Sequence, residues 1–207
     1  MNQQPKAVVI GAGIGGLASA IRLAVQGMDV TVFEKNAYPG GKLSHFEQDG
    51  YQFDAGPSLF TQPQHIEALF QLADEPIEDY FSYTRVPISC EYFYEDGTRI
   101  HAYADREAFS GELTTKLGES ENALASYLNR SEKIYQHIGK IFLTHSLHKW
   151  KTFVKSPVWD AIKTLRWPYL FHTLHQVNAG HFTNEKTVQL FNRYATYNGS
   201  NPYRAPG

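Results

Sequence analysis

The stretch from Lys6 to Lys42 restricts the fold more than any other part of this 207-residue chain. An apolar run, Ala7-Val8-Val9-Ile10, leads into Gly11-Ala12-Gly13-Ile14-Gly15-Gly16. A helical pattern follows, Leu17 to Gly27. Then comes a second apolar run, Val30-Thr31-Val32-Phe33, closed by Glu34. Strand, glycine turn, helix, strand and acid, in that order, spell a dinucleotide-binding βαβ unit. Gly11 serves the tight turn, Gly13 the close approach of a diphosphate to the backbone, and Gly16 the packing of helix on strand, with Gly15 in the same turn. The start of the helix offers unpaired N–H groups and a positive dipole end to phosphate. Glu34 stands at the spacing of a residue that binds a ribose hydroxyl.

The next residues bear on which dinucleotide. Lys35 to Pro39 form a short polar loop, followed by Gly40-Gly41-Lys42. A second glycine pair followed by a cation suits another close approach to the same diphosphate, which a simple NAD-binding fold does not need. The alternative is an ordinary surface turn, since glycine and lysine are common in turns. Joined to the upstream glycines, the pair favours FAD. The arrangement resembles the extended flavoprotein motif, in which the ribose-binding Glu is followed by a short loop and Gly-Gly-Arg or Gly-Gly-Lys.

Two later segments narrow the resemblance. Gly50-Tyr51-Gln52-Phe53-Asp54-Ala55-Gly56-Pro57-Ser58 resembles the G-x-x-F-D-x-G-P-S/T segment of carotenoid desaturases. Tyr197-Asn198-Gly199-Ser200-Asn201-Pro202-Tyr203-Arg204-Ala205-Pro206 resembles a later segment of the same family. The family is the bacterial-type phytoene desaturases, within the amine-oxidase-like flavoproteins. Leu59-Phe60-Thr61-Gln62-Pro63 and the Asn-Gly-Ser-Asn-Pro run look like the 1-hydroxycarotenoid 3,4-desaturase type.

The resemblance implies FAD as hydride acceptor, a carotenoid as substrate, and a quinone or oxygen as the final electron acceptor. It implies that Gly11, Gly13, Gly15 and Gly16 hold the diphosphate and Glu34 the adenosine ribose, with Lys35 among the cofactor-binding residues. Gly41 and Lys42 brace the diphosphate, Gly56, Pro57 and Ser58 lie near the flavin, and Asn198 to Pro202 face the substrate. No catalytic base is identified. The alternatives are an amine oxidase-like flavoprotein acting on a polar amine and an inactive cofactor-binding remnant.

Composition excludes several classes. The chain is 42% hydrophobic with a net charge of −2, enough for a packed core. Its single cysteine, Cys90, rules out an internal disulfide and reads as a buried thiol in a strand. Lys6, the apolar run and Ala18-Ser19-Ala20 mimic a secretion signal, but the intervening glycines break the apolar segment. No run of apolar residues is long enough to span a bilayer.

Further along, short strands are expected at Leu43–Phe46 and Tyr51–Phe53, with a capping box at Thr61-x-x-Gln64 opening a helix. A hairpin is expected over Ile88–Tyr94 and Thr98–Tyr103, turning at Asp96-Gly97. Asp105 caps a helix that stops at Gly118, and helices follow over about Ser120–His145, Trp159–Leu165 and Asn184–Tyr194. The fold class is α/β: an incomplete Rossmann-type FAD-binding domain over 1–85, then an α+β, mainly helical substrate and membrane region over 86–207. Only two parallel strands are visible where such a sheet needs several, so the chain is expected to be the N-terminal part of a longer protein.

Charge is unevenly placed. Residues 1–139 carry ten Lys and Arg against nineteen Asp and Glu, whereas residues 140–207 carry nine against two. Trp150, Trp159 and Trp167 lie in the basic part. Aromatic and cationic side chains over 140–175 suit a membrane interface. A core-packed helix pair and a nucleic-acid surface are the other readings. The flavin signature disfavours nucleic acid. A polyene substrate favours membrane contact, because each apolar carbon gains about 0.8 kcal/mol on leaving water. The expected location is cytoplasmic, peripheral at the cytoplasmic membrane. His145-x-x-His148 and His172-x-x-His175 read as exposed helix histidines, and no metal site is expected.

Overall fold

The computed structural model describes residues 4–57, 59–139, 148–149 and 171–206. The chain divides into two compact units, Met1–Thr84 and Arg85–Gly207.

The first unit opens with β1 (Lys6–Ile10), α1 (Ile14–Val25) and β2 (Asp29–Phe33). β1 and β2 pair in parallel, Lys6 opposite Asp29 through Ile10 opposite Phe33. A parallel pair needs a crossover, and α1 supplies it, so this is a Rossmann-like α/β unit. Both strands alternate between half-buried and exposed residues. Ala7, Val9, Val30 and Val32 form the half-buried set, and α1 packs against both strands. Val8, Ile10 and Phe33 are exposed, Ile10 at 88%. Val8, Ile10 and Phe33 make much of the exposed face apolar as well, the pattern of strands covered on both faces.

An antiparallel hairpin follows, β3 (His45–Gln48) with β4 (Tyr51–Asp54), turning through Asp49 and Gly50. β3 begins two residues later than the apolar pattern implies. α2 (Gln64–Ala73) packs on α1. The Thr61 capping box does not form: the N-cap is Pro63, and no side chain caps the helix. Gln62, with φ 56°, turns the chain so that Thr61 falls outside the first helical turn.

The second unit begins with the hairpin β5 (Ile88–Phe93) and β6 (Arg99–Tyr103), turning at Gly97. α3 (Arg106–Leu117) starts where Asp105 accepts the Ala108 N–H at 2.8 Å and ends at left-handed Gly118. Both termini follow the expected signals. α4 (Glu121–Ile134) passes into a π-helical turn over Tyr135–Gly139, so the long helix expected from Ser120 changes its winding after fourteen residues. Residues 140–147 and 150–170 lie outside the described residues, and with them most of the basic aromatic segment and the helix expected at Trp159–Leu165.

α5 (Leu174–Ala179) starts later than the helix implied by His172-x-x-His175. Thr173 and Gln176 form a reciprocal capping box at its start. α6 (Glu185–Asn192) is capped by Asn184 and gives way to a 3-10 helix over Arg193–Asn198. Ile100, Leu113, Leu124 and Leu190 are almost fully buried at the centre of this unit. Phe182 stacks on Phe191 at 4.7 Å, with Tyr127 beside both. Each such large side chain contributes about 1.5–3 kcal/mol on leaving water.

Candidate functional site: a backbone cradle at the first glycine turn

Gly11 leaves β1 with φ +98°, and its N–H donates to the Phe33 carbonyl at 2.7 Å. The turn is thereby tied to the end of β2. Gly16 lies so close beneath it that an added Cβ would stand 1.9 Å from the Gly11 carbonyl oxygen. Any side chain there would push α1 away from the turn. Gly15, by contrast, faces open space.

Gly13 is the N-cap of α1 and carries no side chain to cap it, and the first turn of the helix holds no acidic residue. The amides at this terminus are therefore not satisfied by a side chain of the helix itself, the condition for receiving an anion. The second glycine pair folds against this same turn. Gly40 N–H donates to the Ala12 carbonyl at 2.7 Å, and Gly13 and Gly40 form an isolated parallel bridge. A Cβ on Gly41, where φ is +64°, would stand 3.2 Å from Gly13 Cα. Gly56 in turn presses on the Lys42 carbonyl, where a Cβ would stand at 1.9 Å. Gly13, Gly40, Gly41, Lys42 and Gly56 are thus brought into one neighbourhood.

Glu34 joins them. Its Oε2 accepts the Ala12 N–H at 2.7 Å, and its Oε1 accepts the Asn36 backbone and side-chain N–H groups, both at 2.9 Å. The Asn36 backbone N–H and then the Ala12 N–H hold the Glu34 carboxyl below its usual range. The Lys35 backbone N–H also bears on this carboxylate, so a hydroxyl donor would share its oxygens with amides already in place. Lys35, Lys42 and Pro57 are exposed, and Ser58 lies outside the described residues.

Sequence reading passed over Asn36 and Ala12. A side chain two residues after the acid, able to fold back on it, was the available signal. The reading of His172-x-x-His175 is corrected, whereas His145 of the other pair lies outside the described residues. Thr173 is the N-cap of α5, so His172 precedes the helix and does not share a helical face with His175. His175 is half-buried, its Nδ1 3.0 Å from Asn192 Nδ2 and its ring 4.4 Å from that of Tyr203. Cys90 is a free, half-buried thiol. Among the described residues no cluster of three or more His, Cys, Asp or Glu could hold a metal, and no helix is long and apolar enough to cross a membrane.

The model of the NAD(P)-binding Rossmann-like domain matches residues 9–76. The chain is 46% identical to a 1-hydroxycarotenoid 3,4-desaturase of a Flavobacterium species, over 98% of this chain and 41% of that protein. It is 32% identical to a 4,4'-diaponeurosporene oxygenase of Staphylococcus haemolyticus, over 98% of this chain and 40% of that one. A solved putrescine oxidase mutant with redesigned cofactor binding aligns at 19% identity, over 90% of this chain and 35% of its own, with a TM-score of 0.49. The chain spans about two-fifths of the length of the curated relatives it matches. Its cofactor class is flavin or nicotinamide dinucleotide. Over nearly its whole length the chain is thus similar in sequence to a carotenoid desaturase and to a diaponeurosporene oxygenase.

Proposed function

We propose that this chain carries the N-terminal, FAD-binding part of a carotenoid desaturase, an oxidoreductase that introduces a conjugated double bond into a polyene. The observation that carries the reading is the double glycine cradle: Gly13 at an uncapped helix start, Gly40 and Gly41 folded onto it, and Glu34 on the Ala12 amide. A second backbone approach at the first turn suits a flavin dinucleotide better than a nicotinamide one.

In this reading, residues 1–85 form the N-terminal part of the cofactor domain. The amides of Gly13, Gly15 and Gly16 receive the diphosphate, Gly41 and Lys42 flank it, and Glu34 takes a ribose hydroxyl on its carboxylate. Lys35 stands beside it, and Gly56, Pro57 and Ser58 lie on the flavin side. FAD, when bound, supplies the two-electron acceptor, and the protein supplies orientation and exclusion of water. Residues 86–207 contribute to the substrate side, with Asn198 to Pro202 facing the polyene. Residues 140–175 meet the membrane surface peripherally on its cytoplasmic side, where the polyene is dissolved. Quinone or oxygen reoxidises the cofactor.

Expression of the complete gene in hosts accumulating different carotenoids tests the reading. A red-shifted, more conjugated product is expected. Unchanged carotenoid extracts together with oxidation of polar amines would replace it with an amine oxidase-like activity.

A further inference from the structure

A chain of polar side chains, each buried or half-buried, crosses the second unit. The Tyr127 hydroxyl on α4 donates to Asn178 Oδ1 on α5 at 2.9 Å. Asn178 Nδ2 donates to Asn192 Oδ1, at the end of α6, at 3.0 Å. Asn192 Nδ2 stands 3.0 Å from Nδ1 of His175, back on α5. Asn178 is fully buried and Asn192 is 6% exposed, so bulk water does not stand in for a missing partner.

The 199–206 segment is attached at the same histidine. The His175 backbone N–H donates to the Pro202 carbonyl at 3.0 Å, and the Leu174 N–H to the Ala205 carbonyl at 2.9 Å. Thr173 and Pro206 form an antiparallel bridge. The His175 ring lies against that of Tyr203, 4.4 Å between centres. One side chain thus joins the polar chain in the core to the 199–206 segment.

The direction of the chain follows from its inner end. Burial pushes the Tyr127 phenol up to about 12, so it keeps its proton. Among the described residues, Asn178 Oδ1 is the acceptor that this phenol meets. With that oxygen engaged, Asn178 offers its NH2 group to Asn192, which answers with Oδ1. Asn192 has its NH2 group left for His175, so Nδ1 must accept. In a neutral imidazole the proton then sits on Nε2. The reverse direction leaves the Tyr127 hydroxyl proton beside the Phe182 and Phe191 rings without an acceptor, which is the costlier arrangement.

We propose that His175 is a positioning residue whose tautomer is dictated from the core: the Tyr127–Asn178–Asn192 chain holds its proton on Nε2, and in that form its ring seats the 199–206 segment on α5. The tautomer lock stands independently of what the protein does. The positioning role rests on the carotenoid reading above, in which Asn198 to Pro202 face the polyene. The other tautomer sets the Nδ1 proton against the Asn192 NH2 group, which turns the ring away from Tyr203 and loosens the segment.

The test uses the full-length, flavin-loaded protein with isotope-labelled histidine at about pH 8.5, where an ordinary imidazole is neutral. His175→Asn identifies the His175 signals by their loss. Nuclear magnetic resonance should show wild-type His175 as one tautomer, with Nδ1 bare and Nε2 protonated. Tyr127→Phe keeps the ring and removes only the hydroxyl, and should admit both tautomers. Asn192→Asp keeps the shape and turns a carboxylate oxygen toward the imidazole, and should move the proton to Nδ1. Kinetics with a 1-hydroxycarotenoid in detergent micelles, the class named for the Flavobacterium relative, read the positioning role. His175→Leu should raise KM by about tenfold, the upper end for one hydrogen bond, with kcat and flavin content little changed. His175→Asn, whose Oδ1 can take the Asn192 N–H in place of Nδ1, should recover much of that loss. A wild-type proton on Nδ1, or the wild-type tautomer persisting in both Tyr127→Phe and Asn192→Asp, would overturn the lock. An unchanged KM in His175→Leu would overturn the positioning role. A locked tautomer in a protein that turns over no carotenoid would support the lock, count against the desaturase reading and remove the positioning role that rests on it.

Discussion

The Glu34 carboxylate reaches back 22 residues to take the Ala12 backbone N–H at 2.7 Å, in the middle of the glycine turn. One side chain thus closes the end of β2 onto the start of α1. Replacing Glu34 with Ala removes the Ala12 acceptor and, with it, the proposed ribose contact. In the full-length protein this should lower flavin retention by about tenfold or more, the scale of a hydrogen bond to a charged group. Flavin content after gel filtration, by absorbance against protein concentration, measures it.

Gly15 and Gly16 are neighbours with opposite tolerances. A Cβ at Gly16 meets the Gly11 carbonyl at 1.9 Å, whereas one at Gly15 meets nothing within 4 Å. Gly16→Ala should cost about 1–3 kcal/mol through overpacking and displace α1 from the turn. Gly15→Ala should leave the ligand-free protein as stable or up to about 1 kcal/mol more stable, since alanine is the better helix former. Thermal melting of the two variants without cofactor separates them.

Glu119, 3% exposed, accepts the N–H groups of Thr183 and Asn184 and the Thr183 hydroxyl, anchoring the start of α6 to the end of α3. Glu119→Gln places an amide NH2 among these donors. A loss of about 2 kcal/mol is expected, as for a hydrogen-bonded buried charge. Urea unfolding reads it as a lower midpoint with an unchanged slope.

Two carboxylates predict acid sensitivity. The Lys186 ammonium holds Asp96 at about 2, below its ordinary 3.8. Burial pushes Glu119 up, but the Asn184 and Thr183 amides outweigh it and leave the group below its ordinary range. Both groups are depressed in the folded state, so their stabilisation is complete above the unfolded carboxylate range and is lost as pH falls through the folded values. Stability should therefore be flat above about pH 5 and fall steadily from about pH 4 to 2. The Asp96 share, being exposed, should shrink at high salt. Thermal melting across pH at two ionic strengths checks both statements.

What the sequence revealed follows distance along the chain. The βαβ turn was legible because strand, glycines and helix act on neighbours, and the caps at Asp105 and Gly118 were legible for the same reason. The Thr61 capping box misled because Pro63 and the left-handed Gln62 set the helix start instead. The capping box that forms, Thr173-x-x-Gln176, is equally present in the sequence, but the spacing of His172 and His175 suggests a helix already running at His172. Glu119 could not be read as a cap, because its donors lie 64 and 65 residues away. The seat of the Arg193 guanidinium over the Tyr92 ring, 5.3 Å from its centre, likewise exists only once β5 and the last 3-10 helix are packed together. Within the cradle, the fold of Gly40 and Gly41 onto Gly13 gives the second glycine pair a structural reason that spacing alone could not supply.

The most direct measurement is identification of the nucleotide released by heat from the purified full-length protein, by chromatography with mass detection. The proposed cradle predicts FAD at about one per chain, reduced in the Glu34→Ala variant. Release of a nicotinamide dinucleotide, or of no nucleotide from a folded protein that also fails to take up added FAD, would contradict it.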